Sequence, residues 1–133
     1  MTVEEYREHT KRAKYGNTKI EIDGWEFDSL AEGERYKQLK LIQLSGQIED
    51  LTCHPTYELQ PAFRDQRGVK HRAITYEADF RYTEFRTGGP QVGIDVVEDV
   101  KGARTKEFRL KEKLFRFRYP HFDLRLIEVG DTQ

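Results

Sequence analysis

Asp99 and Lys101 stand two positions apart in IDVVEDVKG (94–102), and Asp79 lies in AITYEADFRY (73–82). Both runs are rich in Ile, Val, Tyr or Phe and alternate in polarity, so both read as strands. Alternation puts Asp95, Val97, Asp99 and Lys101 on one face of the second strand, and Ile94, Val96, Glu98 and Val100 on the other. In the first strand, Glu77, Asp79 and Arg81 share a face opposite Tyr76, Ala78, Phe80 and Tyr82. Pairing the two strands sets Asp79 beside Asp99, with Lys101 one pleat further on. Adjacent carboxylates repel unless a cation lies between them, so the chemistry this spacing suits is that of a divalent-metal site. A lone Asp-x-Lys is more often a solvated strand edge. Here Val96, Val97 and Val100 surround the acids, which predicts a central strand, where charges are rare without a task.

The elements that must position these residues follow from local pattern. Residues 1–16 are polar and read as a short helix or mobile arm. KIEIDGWEF (19–27) predicts a hairpin, with Asp23-Gly24 suited to a type I′ turn. Ser29 then caps a helix in which Tyr36, Leu39, Ile42 and Leu44 form an apolar stripe, and Gly46 stops it. Glu32, three residues after Ser29, completes a capping box, which by itself accounts for that acid; Glu34 and Glu21 read as surface residues. Residues 47–61 are extended and broken at Pro55, and 64–72 form a charged loop containing Gly68. Strand 73–84, a turn at Gly88-Gly89-Pro90 and strand 91–101 make an antiparallel hairpin. Gly102 ends it. Thr105 caps a second helix to about Arg118, with Phe108, Leu110, Leu114, Phe115 and Phe117 as its apolar face, closed by Tyr119-Pro120. FDLRLIEV (122–129) is the last strand; reached through a helix, it should run parallel to 91–101.

The 133 residues suit one domain with its own core, and 12% aromatics argue against disorder. A formal net charge of −1 conceals local imbalance. Between Arg104 and Arg118, the bases Arg104, Lys106, Arg109, Lys111, Lys113, Arg116 and Arg118 face only Glu107 and Glu112. Arg64, Arg67, Lys70 and Arg72 make a second basic cluster. Central acids with basic flanks fit a metal-centred site working on a polyanion, although for about half of these bases a solvated helix face is the better account. With Cys53 the single cysteine, a disulfide framework and a cysteine-based zinc site are excluded. The four histidines lack paired ligand spacing, and His54, next to Pro55, reads as structural. No apolar run is long enough for a membrane span or signal peptide, which predicts a cytoplasmic protein with no membrane partner.

The order of a helix bearing an acid, a meander with Asp79, then Asp99-x-Lys101, helix and strand resembles the PD-(D/E)xK nuclease superfamily. The wording is closest to its phage- and prophage-type endonuclease group (domain of unknown function 1064, Holliday-junction-resolvase-like). The pieces that carry the likeness are FDSLAEGERY (27–36), GQIEDL (46–51), YEADFRY (76–82), VVEDVKG (96–102) and TKEFRLKEKLF (105–115). The resemblance implies an α+β fold with a restriction-endonuclease-like core over 27–129. That core is a central mixed sheet of four to five strands flanked by helices in αβββαβ order, after an N-terminal hairpin.

By the same resemblance Asp79 and Asp99 are metal-binding acids, with the Val100 carbonyl as a further ligand, and Lys101 is the catalytic lysine. Glu32 matches an additional helix acid, so capping and catalysis compete for it. Glu98 would replace Asp99 only if a bulge shifted the register. The implied activity is hydrolysis of DNA phosphodiester bonds with one or two Mg²⁺ or Mn²⁺ ions, in recombination or processing of branched or duplex DNA. Arg72, Arg104, Lys106, Arg109 and Lys111 would hold phosphates. Cutting both strands requires two sites, which makes a homodimer one expectation, with Phe115 or Phe117 at its interface. Two other readings compete: a nucleic-acid-binding accessory subunit that does not cut, and a structural domain whose acids are salt-bridged to arginines.

Overall fold

The computed structural model of the chain describes residues 18–86, 92–101 and 104–128. The N-terminal arm, the Gly88-Gly89-Pro90 turn, Gly102 and Val129 lie outside them. The chain divides into two compact units, Met1–Leu41 and Ile42–Gln133.

In the first unit, β1 (Ile20–Ile22) and β2 (Trp25–Phe27) pair antiparallel, Ile20 opposite Phe27. Asp23 (φ 54°) and Gly24 (φ 83°) both take the left-handed conformation that a type I′ turn demands. Helix α1 (Leu30–Leu44) starts behind Ser29, whose Oγ accepts from Glu32 N–H at 3.2 Å. Gly33 is buried against the hairpin: a Cβ there would lie 3.1 Å from Ile20 Cγ2 and 3.2 Å from Ile22 Cδ1. The Phe27 and Tyr36 rings meet 5.1 Å apart, and Tyr36 Oη donates to Asp23 Oδ2 at 2.9 Å, tying the helix to the turn. Leu39 is buried with them, but Leu44, assigned to the apolar stripe, is exposed. It sits five residues beyond Leu39, about 140° further round the helix.

The second unit is built on a four-stranded mixed sheet in the order β10-β9-β8-β3. These are β3 (Ile48–Cys53), β8 (Phe80–Phe85), β9 (Gly93–Lys101) and β10 (Asp123–Glu128). β8 pairs antiparallel with both β3 and β9, whereas β10 runs parallel to β9 as its helical connection requires. That connection is helix α2 (Lys106–Arg118), opened by Thr105 Oγ1 accepting from Phe108 N–H at 3.0 Å. With the hairpin β1–β2 in front, α1-β3-β8-β9-α2-β10 is the αβββαβ order, and the fold is α+β.

Smaller ribbons fill the interval between β3 and β8. The strand expected over 73–84 is two strands. Its first part, β7 (Ile74–Glu77), pairs with β4 (Thr56–Gln60) in a separate sheet, and the chain bends at Ala78–Asp79 before β8. The partner strand bends at the same level. His54 takes φ 55°, rare for a residue with a Cβ, and its N–H reaches Asp79 O at 2.9 Å while Ala78 N–H reaches Pro55 O at 3.0 Å. The charged loop at 64–72 is likewise ordered: β5 (Phe63–Arg64) and β6 (Lys70–His71) form a hairpin.

One core cluster lies on the α2 side of the sheet: Tyr57, Leu59, Tyr76, Ala78, Val97, Phe108, Phe115 and Leu124. Phe108 and Phe115, seven residues apart, point inward together. Leu110 and Phe117, each two residues further on, are rotated by about 200° and are 59% and 85% exposed. The apolar face of α2 is therefore narrower than its composition suggests. Phe115 is fully buried, so it can contribute nothing to an interface between copies.

Candidate active site

β9 is central, with β8 and β10 on its two sides, and Val96 and Val97 are wholly buried. Its pairing with β8 (Phe80↔Glu98, Arg81↔Val97, Tyr82↔Val96) has no register shift. Continued by one residue, the register sets Asp79 opposite Asp99. Asp79 N–H still reaches Glu98 O at 3.1 Å, but there the chain bends away, and β9 runs on without β8 beside it. The side chain of Asp79 takes over from the departed backbone: its Oδ2 accepts from Val100 N–H at 2.7 Å. The N–H and C=O of one residue in a strand point to the same edge, so the Val100 carbonyl faces that side as well.

Asp99 is 1% exposed. Its Oδ2 accepts a 2.5 Å bond from Tyr76 Oη and lies 3.6 Å from Lys101 Nζ. At 3.6 Å the lysine contact is an ion pair rather than a hydrogen bond. Lys101 Nζ also sits 4.5 Å above the centre of the Phe108 ring, a cation–π contact that fixes the ammonium between α2 and the acid. The Tyr76 hydroxyl is pushed up from its usual pKa, by burial first, then by the charge and hydrogen bond of Asp99 and by the charge of Asp79. That hydroxyl remains neutral and a donor, and it senses both carboxylates. Asp79, Asp99 and Lys101 thus converge where β8 leaves β9.

Glu98 belongs to the other face. It is completely buried and accepts from Tyr82 Oη. Beside it Arg125 on β10 reaches across β9 to Glu84 on β8, with bonds of 2.9 and 3.0 Å, and to Asp123 at 2.9 Å. No bulge brings Glu98 round to Asp99.

Glu32 lies in the first unit, where its Oε2 accepts from Asp28 N–H at 3.0 Å while its own N–H is held by Ser29. The capping arrangement is formed, displaced by one residue from the reciprocal bond of a standard capping box. Among the described residues, no three His, Cys, Asp or Glu side chains gather as a ready metal-binding group.

The basic residues separate by role. Arg104 is ion-paired with Glu128, and Lys111 lies 3.7 Å from Glu107 one turn back on α2. Lys106, Arg109 and Arg72 are exposed. Lys111 and Glu107, with Ala73, Ile74, Thr75, Leu110 and Leu114, line a cavity of about 400 Å³.

Tyr76 and Phe108 are the site residues that sequence reasoning missed. Strand alternation set Tyr76 on the face opposite Asp79, and the bend at Ala78–Asp79 turns it to the Asp99 side. A signal was present in His54-Pro55, a break on a neighbouring extended segment that pairing would transmit.

A four-stranded mixed sheet with two acids and a lysine at the end of its central strand, and a capped helix leading into a parallel edge strand, defines an α+β domain with a two-acid-and-lysine centre. The family described as "Protein of unknown function (DUF1064)" matches residues 12–129, and the chain belongs to it. No curated protein and no solved structure matches the chain. Among the described residues no helix is long and apolar enough to cross a membrane.

Proposed function

We propose that this domain hydrolyses phosphodiester bonds in DNA with the help of Mg²⁺ or Mn²⁺, as a member of the PD-(D/E)xK nuclease superfamily. The observation that carries the reading is the convergence of Asp79, Asp99 and Lys101 around the Tyr76 hydroxyl and the Val100 backbone. Oxygen donors from Asp79, Asp99 and the Val100 carbonyl are the hard ligands such an ion prefers. A bound ion would supply Lewis-acid polarisation of the phosphate and a lowered pKa for water.

The chain's own groups do the rest. Lys101 brings an ammonium, oriented by Asp99 and the Phe108 ring, to the oxygens on which charge builds as water attacks phosphorus and the P–O bond to the leaving sugar oxygen breaks. Tyr76 holds Asp99 in one rotamer. Lys106, Arg109 and Lys111 offer charge to neighbouring phosphates without reading sequence, and Arg104 does so with Glu128 beside it.

A second reading, a DNA-binding subunit that does not cut, draws support from the absence of a ready three-ligand cluster among the described residues. One assay separates the two: labelled branched, duplex and single-stranded DNA incubated with the protein in Mn²⁺. Metal-dependent products that vanish in Asp99→Asn and Lys101→Met, with both variants still folded, support the nuclease. Undiminished cleavage by Asp99→Asn refutes the mechanism, and binding without cleavage by the native chain favours the second reading.

A further inference from the structure

We infer that the β5–β6 hairpin is a second nucleic-acid contact, a rigid wing that seats in the groove of duplex DNA beside the bond being cut; this rests on the nuclease reading above. From Phe63 to Arg72 the chain carries four basic residues, Arg64, Arg67, Lys70 and Arg72, and one acid, Asp65. That acid is spent on the hairpin itself. Its Oδ1 accepts from the backbone N–H of Arg67 at 2.9 Å and of Val69 at 3.0 Å, and its Oδ2 lies 2.9 Å from His71 Nε2. Arg64 Nη1 donates to Gly68 O at 3.0 Å across the turn, and the Phe63 and His71 rings stack 4.7 Å apart at 13°. Gly68 takes φ 80°, which lets the chain reverse.

The outcome is a short ribbon fixed from within, whose outward groups are cationic. Arg67, Lys70 and Arg72 are exposed, and none has a carboxylate partner among the described residues. Such crowding of like charge is unfavourable in the unbound protein and becomes favourable against a polyanion. Because the turn is already ordered, little conformational entropy is lost on binding. A two-stranded ribbon fits the major groove of duplex DNA. Three residues, Ala73, Ile74 and Thr75, separate Arg72 from Tyr76, and four steps along the chain span no more than about 14 Å between the wing and the acid centre. At 3.4 Å per base pair, the first contacts fall within about four pairs of the cut. In the turn the one exposed apolar side chain is Val69, a single small group beside Gln66, Arg67 and Gly68, where a bilayer-inserting surface presents an array of large apolar or aromatic residues.

The test is fluorescence anisotropy of a labelled duplex of roughly 30 base pairs, long enough to extend past the wing on either side of the cut, bound by the full chain in EDTA across a KCl titration. Arg67→Ala/Lys70→Ala/Arg72→Ala should bind at least about tenfold more weakly near 0.1 M salt and lose about 2 to 3 from the slope of log K against log salt. A control variant, Lys19→Ala/Lys37→Ala/Lys40→Ala, should keep both. Asp65→Ala removes a negative charge but dismantles the turn, and should bind less well than the native chain. An unchanged slope in the first triple variant overturns the wing, as does an equal loss in the control or tighter binding by Asp65→Ala. So does a loss of affinity seen only for phosphatidylserine vesicles. If the native chain cuts DNA and only the slope result fails, the nuclease reading stands without the wing. Hairpin-dependent binding with no cleavage in Mn²⁺ leaves the wing and removes the nuclease. A native chain that neither binds nor cuts removes both.

Discussion

Tyr76 is the residue through which the acid centre meets the core. Its ring packs against Phe108 and Phe115, and its hydroxyl ends on Asp99. Deleting that hydroxyl leaves a buried carboxylate with one donor fewer, a loss of about 1.5–3 kcal/mol where a hydrogen bond reaches a charged group. Groups that orient a ligand typically affect metal affinity by about 10–100-fold. Tyr76→Phe is therefore expected to lower the melting temperature and to raise, by about tenfold or more, the Mn²⁺ concentration giving half-maximal thermal stabilisation. An unchanged Mn²⁺ response would show that Asp99 needs no such anchor. Tyr57 makes the opposite case. Its hydroxyl is buried, has no hydrogen-bond partner among the described residues, and is pushed up to about 12, mainly by burial. Tyr57→Phe removes a desolvated group with nothing to lose, so its unfolding free energy should match or exceed the native value by up to about 1 kcal/mol. A clear loss in denaturant melts would reveal an overlooked partner.

At the scale of elements, helix α1 poses the question of Glu32, which both caps and offers a carboxylate. The two roles differ in what they require: an amide oxygen caps as well as a carboxylate does, but being neutral it holds a divalent cation more weakly than a carboxylate. Glu32→Gln should keep the melting temperature within a degree or two, since one kilocalorie is worth only a few degrees in a domain of this size. If Glu32 serves the chemistry, Mn²⁺-dependent cleavage should nevertheless fall by two orders of magnitude or more. Cleavage at the native rate would leave capping as its whole role. The bend at 54–55 and 78–79 raises a matching point for the strands. A left-handed His54 costs of order 1 kcal/mol, and cross-strand hydrogen bonds hold it where Asp79 leaves the ladder. That bend frees the end of β9, giving the acids an open edge instead of a continuous sheet.

For the whole molecule, the sheet is tied across its width by Arg125, which spans β9 to grip Glu84. The guanidinium holds the Glu84 carboxyl below its ordinary 4.5, through hydrogen bonds first. A carboxyl depressed in the folded state contributes stability that is present above its unfolded pKa and is lost as pH falls through the folded value. Acid should therefore weaken the native chain progressively below about pH 4.5, the upper end set by the unfolded glutamate. Glu84→Gln should flatten that part of the stability–pH profile, and its difference from the native chain should shrink as the pH drops. A difference that stays constant from pH 6 to pH 3 would assign the effect to other groups. The exposed pair of Asp65 and His71 also lowers the Asp65 carboxyl, but solvent screening leaves it little weight in global stability.

The sequence by itself determined what depends on neighbours along the chain. The Asp23-Gly24 turn, both helices with their Ser29 and Thr105 caps, the antiparallel β8–β9 pair and the parallel return of β10 were all legible in it. So was the register that, continued by one residue, sets Asp79 opposite Asp99, because consecutive antiparallel strands have few registers open to them. Tertiary structure alone decided which face Tyr76 presents, that residues 63–71 form a hairpin, and that Leu44 and Phe117 remain exposed. Alternation assumes an unbroken strand. The break at Ala78–Asp79 is held by bonds to His54 and Pro55, more than twenty residues earlier, and no local pattern in 73–84 encodes a hydrogen bond whose partner is that far away.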